Sequence, residues 1–561
     1  ATYRAEGCVG EDTVRATASV NSNSLSASGN ITIQSAAVGA IEFVSADPTT
    51  ISLQGTSGIG LTESSTVTFR VVDDAGRPVA GATVNFSLST TVGGITLDAP
   101  SDTTGDDGTV QVAVSSGAVN TSVRVVATAD TGTATVTTQS VALAVSTGIP
   151  DKNSFGIAAS TLRPTAWECA SEQVTITATA ADHFNNPAPD GTAVAFRTER
   201  GFIPGSCIIQ DGKCSVVWTS TSGEKPTDNF GIPGLAGRTT ITATVIGEES
   251  FDDTTPSNGR FDDGEAYVDL GEAFFDINEN GVRDATEEYV DYNENGLYDG
   301  PDGSFNGVLC NTGATECNSA SPLLTLSDNL VLVMASRVQD LTVSQPRLDA
   351  NNEIVRDANG AIIFDDISTT NYEIVIGDDG NIRLVLLEFA DTRGQQPPTG
   401  SSISVSTTTG ELVGGTSADI EEGNAVGPTS MIVSLKSDNN NPEPGVLTVS
   451  LDMPASACDG GATVDYPVSI SFEDVTPPSI ANSTPANNDT DVALNVDISV
   501  EFDDDMLGST FTDTTITLVD ITDPNAPTPR TVTNSFSYDA AQRTLTVYPG
   551  DGTNAGETLQ A

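Results

Sequence analysis

Apolar and polar residues alternate with a period of two along most of this chain, and helical periodicity is nearly absent. Thr66-Val67-Thr68-Phe69-Arg70-Val71-Val72, Val84-Asn85-Phe86-Ser87-Leu88 and Val110-Gln111-Val112-Ala113-Val114 each read as a half-buried strand. Turn signals such as Asp107-Gly108 separate them at short intervals, the signature of antiparallel sandwiches. A chain of 561 residues exceeds what one core can fill, so several domains are expected. Apolar residues at 37 %, with 52 Gly besides, are enough for packed cores despite the charge.

The pattern repeats. Val71-Val72-Asp73-Asp74-Ala75-Gly76-Arg77-Pro78-Val79-Ala80-Gly81-Ala82-Thr83-Val84-Asn85-Phe86 returns as Ala181-Asp182-His183-Phe184-Asn185-Asn186-Pro187-Ala188-Pro189-Asp190-Gly191-Thr192-Ala193-Val194-Ala195-Phe196. Downstream, Asp107-Gly108-Thr109-Val110 answers Asp211-Gly212-Lys213-Cys214, and Asp12-Thr13-Val14 is a third echo near the start. The spacing is about 110 residues, the size of one immunoglobulin-like sandwich. In the turn, Asp and Gly tolerate left-handed positions, and Pro78 and Pro187 fix φ just after it.

These strings resemble the group 1 bacterial Ig-like domains of invasin- and intimin-type surface proteins, over residues 39 to about 247 and again near 323–336. The family's receptor-binding, lectin-like tip has no counterpart here. Pro477-Pro478 marks a linker, and Val496–Phe502 followed by Asp503-Asp504-Asp505-Met506 is similar to a second bacterial Ig-like class. The fold expected is all-β: tandem immunoglobulin-like β-sandwiches with a calcium-loop insertion. Residues 1–38 read as the C-terminal part of one Ig-like domain and 39–147 as a group 1 domain. Residues 148–338 read as a second such domain carrying an insertion at 248–321. A β-rich Ig-like unit at 339–475 and a C-terminally incomplete one at 476–561 complete the division, so both ends are expected to fall inside domains.

The insertion carries the chemistry. Asp276, Asn278, Asn280, Asp284 and Glu287 occupy positions 1, 3, 5, 9 and 12 of a calcium loop, with Gly281 at the sharp turn and Val282 offering its carbonyl at position 7. Asp291, Asn293, Asn295, Leu297, Asp299 and Asp302 repeat the spacing, with Asp302 at position 12. A weaker copy uses Asp253, Thr255, Asn258, Asp262 and Glu265. Three copies of one oxygen spacing point to calcium (Ca2+), a hard cation that takes six to eight oxygens, with two sites expected to bind well and the third weakly. Only three residues separate Glu287 from Asp291, too few for the helices of paired EF-hands. The segment resembles dockerin-like or thrombospondin-like calcium coils, in which ions substitute for a hydrophobic core. Without a cation these strings are solvated Asx turns, but so many neighbouring carboxylates would then repel one another.

Charge and the remaining residues narrow the function. The 22 Lys+Arg against 77 Asp+Glu give a net charge of -55, which repels nucleic acid and anionic membrane. Lys152, Lys213, Lys225 and Lys436 are scattered, and no apolar run approaches the roughly 20 residues of a membrane span. One histidine, His183, supports neither a catalytic triad nor a zinc site and reads as a solvated turn residue. The acid pairs Asp365-Asp366 and Glu421-Glu422 are two of many in so acidic a chain, and Trp167 and Trp218 read as core aromatics. Of seven cysteines, Cys207/Cys214 and Cys310/Cys317 have spacings suited to local bridges, while Cys8 and Cys458 sit in similar strings with partners unassigned. The expected protein is non-enzymatic, extracellular and on a bacterial cell surface. It reads as a calcium-stiffened adhesive stalk that meets other protein chains or a ligand on a host or neighbouring cell. A filament or surface-layer subunit built by strand complementation, and an accessory region of a secreted enzyme, are the alternatives.

Overall fold

The computed structural model describes residues 10–549 except 22, 34–35, 57–59, 224, 227–233, 319, 351–352, 369–372, 378–379, 438–442, 474–476, 491, 493–495, 521–529 and 533. Cys8 lies outside the described residues. The described chain is almost entirely strand and loop, with three single-turn 3-10 segments. Within strands the sequence alternation becomes burial: Val110, Val112 and Val114 of Thr109–Ser115 are buried while Gln111 is exposed.

In the first repeat, a sheet containing Ala40–Asp47, Ser64–Val72 and Thr109–Ser115 faces one containing Thr83–Leu88 and Val125–Asp130. Their inner faces share a core that includes Val67, Phe69, Val84, Phe86, Val112 and Val125, with the Phe69 and Phe86 rings stacked at 6.0 Å. The second repeat has Phe155–Ala159, Gln173–Ala180 and Lys213–Thr219 against Ser206–Ile208, Ala193–Thr198, Arg238–Gly247 and Leu324–Val333. Its largest core residue is Trp218, fully buried, whose indole N–H donates to Arg200 O at 2.9 Å.

The repeated turn is the same object twice. Asp73 Oδ1 accepts from Ala75 N and Arg77 N, and Asp182 Oδ1 accepts from Phe184 N and Asn186 N. Gly76 (φ 73) and Asn185 (φ 63) take the matching left-handed position. The two halves of the motif touch: a Cβ on Gly108 would lie 2.8 Å from Pro78 Cβ, and one on Gly212 2.9 Å from Pro187 Cβ. Both glycines also have positive φ, so the Asp-Gly hairpin requires glycine because the proline turn packs on it.

Residues 340–473 form two five-stranded sheets, one centred on Ile382–Ala390 and the other on Gly445–Met453, around Phe389, Leu387, Val433 and Val449. A smaller unit follows in which Ile480–Thr484, Ile498–Phe502, Asn534–Asp539 and Thr544–Pro549 form one four-stranded sheet, and the N-terminal strands Gly10–Val20 and Asn23–Ile33 make an antiparallel hairpin.

Three disulfides form among the described cysteines. Cys207–Cys214 and Cys310–Cys317 pair as their spacing suggested. The first ties an edge strand of one sheet to the opposing sheet, because Ser206–Ile208 and Lys213–Thr219 belong to different layers. Cys458, unassigned from sequence, pairs with Cys169 across 289 residues. No string similarity could reveal it, since the two cysteines meet only where the second repeat abuts the following unit. There Arg163, 2 % exposed, donates to the carbonyls of Pro397, Gly423 and Glu421. Trp167 lies at the same junction, half-buried under the Arg393 guanidinium at 3.5 Å, and so is an interface residue as well as a core neighbour. Glu422 accepts from Leu162 N there, and Asp365 pairs with Arg347 on the surface.

Candidate metal centre

The acidic insert leaves the second repeat after Arg238–Gly247 and returns at Leu324–Val333, two strands that pair antiparallel throughout. Two short hairpin closures frame its loops: Phe251 bridges Tyr267 around residues 253–265, and Phe274 bridges Tyr289 around 276–287. The insert also has an aromatic core of its own, Phe251, Phe261, Phe305 and Leu309. That corrects the expectation that ions alone replace a core here: Phe and Leu flanking the acidic strings supply one.

In the first loop, Asp276 accepts from Gly281 N at 2.8 Å and Asn280 N at 3.2 Å, and Val282 N donates to Asn280 Oδ1 at 2.8 Å. Glu287 closes the loop by accepting from Ile277 N at 3.0 Å and Asp284 N at 2.9 Å. Gly281 at position 6 has φ 74 and Glu279 at position 4 has φ 58. The second loop repeats this frame: Asp291 accepts from Gly296 N and Asn295 N, and Leu297 N donates to Asn295 Oδ1. Val282 and Leu297, at position 7, both turn their side chains to solvent.

The closing acid of the second loop is not Asp302. Glu272 accepts from Tyr292 N at 2.8 Å and Asp299 N at 3.1 Å, the contacts that Glu287 makes in the first loop. Asp302 sits elsewhere, its N–H donating to Asp269 Oδ1. Consecutive spacing pointed to Asp302, but the chain folds Glu272 back from before the first loop. In the third loop Asp253 accepts from Asn258 N and Gly259 N, Arg260 N donates to Asn258 Oδ1, and Glu265 accepts from Thr254, Thr255 and Asp262 N–H groups.

The frame occurs a fourth time, assembled from three separated segments. Asp269 accepts from Asp302 N and Gly303 N, Ser304 N donates to Asp302 Oδ1, and Glu249 accepts from Leu270 N at 2.6 Å and Asn306 N at 2.8 Å. Gly303 has φ 77, like Gly281 and Gly296. No contiguous spacing encodes this frame, so a sequence reading passes over Glu249, Asp269 and Asn306; only Asp302-Gly303, an Asp-Gly pair, carries a local signal.

The four closing glutamates, Glu249, Glu265, Glu272 and Glu287, are all buried, and among the described residues none pairs with a Lys or Arg side chain. Burial pushes the Glu249 carboxyl up to about 7, its two N–H donors oppose this, and Asp269 and Asp302 add to the rise. The outer acids Asp284, Asp299 and Asp302 face solvent, which leaves an entry path. As they stand, no three or more His, Cys, Asp or Glu side chains among the described residues are grouped to hold a metal. In the first loop the Asn278 and Asn280 amides both donate to Asp284 Oδ2, at 2.6 and 2.9 Å, and so stand between the acids. Turning those amides over would put oxygens towards Asp284 at positions 3 and 5, at the cost of the contacts that Asn278 and Asn280 Oδ1 now accept from Asn280 N and Val282 N.

The insert reaches both ends of the second repeat. At one end Ser250 Oγ donates to Asp151, Glu248 N donates to Pro150 O, and Phe251 stacks on His183 at 4.2 Å. His183 is therefore largely buried between Phe251 and Asp151, not a solvated turn residue, because the insert covers the turn that holds it. At the other end Glu279 pairs with Arg238, which also donates to Asn424 O of the next unit.

Residues 474–561 match the family model of a bacterial Ig-like domain. No curated protein matches the chain. Among solved structures, the D0–D1 domain of intimin is 20 % identical and covers 37 % of this chain and 91 % of its own, with a TM-score of 0.17. Invasin, described as a bacterial integrin-binding protein, is 12 % identical over 91 % of this chain and 73 % of its own, with a TM-score of 0.23. The Escherichia coli adhesin FdeC is 12 % identical over 79 % of this chain and 100 % of its own, with a TM-score of 0.25. Within the bacterial Ig-like domain, Asp503 accepts from Ser479 N and Asp505 pairs with Arg543, so the acidic string after Phe502 serves the fold.

Proposed function

We propose that this chain is a non-enzymatic adhesive stalk of a bacterial surface, in which the 248–321 insert binds calcium and braces the second repeat. The observation that carries the calcium reading is four buried glutamates, each accepting at least two main-chain N–H groups and lacking a basic partner among the described residues. Buried carboxylates of this kind are ordinarily paired or coordinate a metal. Asp276, Asn278, Asn280, Val282 O, Asp284 and Glu287 would hold one ion; Asp291, Asn293, Asn295, Leu297 O, Asp299 and Glu272 a second. Asp253, Thr255, Asn258, Asp262 and Glu265 would hold a third, and Asp269, Asp302, Asn306 and Glu249 a fourth. Bound calcium would offset carboxylate repulsion in a chain of net charge -55 and lock the hairpin closures at Phe251 and Phe274. Tandem sandwiches joined by buried contacts suit a load-bearing role, the bacterial Ig-like match at 474–561 suits a cell surface, and partners would be protein chains or ligands on a host or neighbouring cell.

Titration calorimetry tests the reading. Calcium is expected to bind with Kd on the order of 10⁻⁴ to 10⁻³ M, as in extracellular modules; no heat at millimolar calcium would sink it. Small-angle scattering locates the mechanical effect. The first junction rests on the third loop, where a Cβ on Gly259 would lie 3.5 Å from the Phe184 ring, which itself packs on the first repeat's core. Asp253→Ala should therefore increase bending between the first two repeats. Asp276→Ala should not, because the first loop faces the opposite, disulfide-closed junction.

A further inference from the structure

We infer that the Cys169–Cys458 disulfide is a covalent tension bypass that keeps the cation loops out of the load path. The inference rests on the stalk reading, in which force runs along the chain. Force entering from the first repeat passes Leu143–Ser146 and Phe155–Ala159 and reaches Cys169. There it crosses to Cys458 and leaves along Ala462–Glu473 towards the C-terminal unit. Everything between the two cysteines is shunted: all four acidic frames, both short-range disulfides, and most strands of two sandwiches.

The placement matters because of how the insert is anchored. Its ends are the paired strands Arg238–Gly247 and Leu324–Val333, so tension reaching those strands would pull the hairpin apart and separate the ligands of the split frame. With the bridge closed, neither strand carries the load. Both feet of the bridge are also pinned across the junction. Arg163 is fixed to the carbonyls of Pro397, Gly423 and Glu421; Ala457 N donates to Glu172 at 2.7 Å; and Arg337 donates to Pro454 O at 2.5 Å and Gly460 O at 2.7 Å. These contacts hold Cys169 and Cys458 together, so the bridge takes up load without prior rearrangement. An interval of 289 residues at 3.3–3.6 Å each corresponds to roughly 100 nm of extension withheld.

Single-molecule pulling on the full chain, tethered at its two ends in calcium, reads this directly. The unreduced chain should reach a final stretched length roughly 100 nm shorter than the Cys169→Ser/Cys458→Ser variant. The native chain pulled in reductant should gain that length plus about 5 nm from the two short bridges, which covers a variant that fails to fold. A chelator should lower unfolding forces in the opened forms and leave the bridged chain's unfolding forces unchanged. Equal final lengths, or chelator-sensitive unfolding while the bridge is intact, would overturn the proposal. If the length difference appears but the chelator changes nothing in the opened forms, the bypass stands and the calcium reading falls.

Discussion

Glu272→Gln is expected to weaken cation binding at residues 291–299 by about a hundredfold, although Glu272 lies nineteen residues before the loop starts. Its two oxygens close that loop by accepting from Tyr292 N and Asp299 N, as Glu287 closes the first. Replacing a carboxylate with an amide removes one formal charge and one of two oxygens from a hard-cation site, and affinity in such loops follows ligand charge over decades. At a ligand concentration one hundred times Kd, a filled site stabilises the fold by about 2.7 kcal/mol, so the variant should forfeit most of that amount. Asp302→Asn should leave the second loop within about threefold and weaken the split frame instead, because its partners are Asp269, Ser304 and Asn318. Calorimetric titration of the two variants separates them. The reverse ranking, with Asp302 essential to the second loop and Glu272 dispensable, would restore the contiguous twelve-residue reading.

In chelator, stability is expected to fall steeply from about pH 5 to pH 8, and Glu248→Gln should remove the larger part of that fall, Glu249 supplying the rest below about pH 7. Glu248 is 1 % exposed; one carboxyl oxygen accepts from Val308 N at 2.8 Å and the other, Oε1, has no hydrogen-bond partner. Burial drives its pKa up from 4.5 to about 8; the Val308 N–H opposes the rise, and Asp151 and Asp182 add to it. Because the folded value is raised, the folded protein keeps a proton that the unfolded chain loses above pH 4.5. The cost grows by roughly 1.4 kcal/mol per pH unit until the folded group ionises near pH 8, and is constant above it. Gln keeps an acceptor for Val308 and removes the charge that Asp151 and Asp182 repel. It should be nearly neutral at pH 4.5 and stabilise by several kcal/mol at pH 8, the total being an upper bound because the site relaxes. Urea unfolding of both proteins from pH 4.5 to 9 decides it. Parallel pH profiles would place the slope in other groups.

The candidate site was half legible in the sequence. Asp276–Glu287 is a local object: its Asp, Asn and Gly contacts span at most six residues and Glu287 closes it from within, so spacing alone locates every side chain. The third loop was readable for the same reason, with Glu265 closing a string begun at Asp253. The second loop was readable only up to Asp299, because its closing acid belongs to an earlier segment. His183 was misread because nothing near it in the chain announces Phe251, which stacks on it from the insert.

By itself the sequence determined whatever depends on neighbours along the chain. Period-two alternation set the strands and their buried faces, as at Val110, Val112 and Val114. Asp and Gly offsets set the repeated turns, and two spacings of seven set the short-range disulfides. Tertiary structure alone decided the nesting: Glu249 and Asn306 enclose the other three frames, Glu272 encloses the first, and Cys169 meets Cys458 across a domain junction. The physical reason is common to these cases. A buried carboxylate needs donors, and here the unsatisfied main-chain N–H groups of a tight loop are supplied to whichever acid the strand pairing brings alongside. Strand pairing such as Arg238–Gly247 with Leu324–Val333 joins residues far apart in the chain, so the acids it delivers leave no periodic trace.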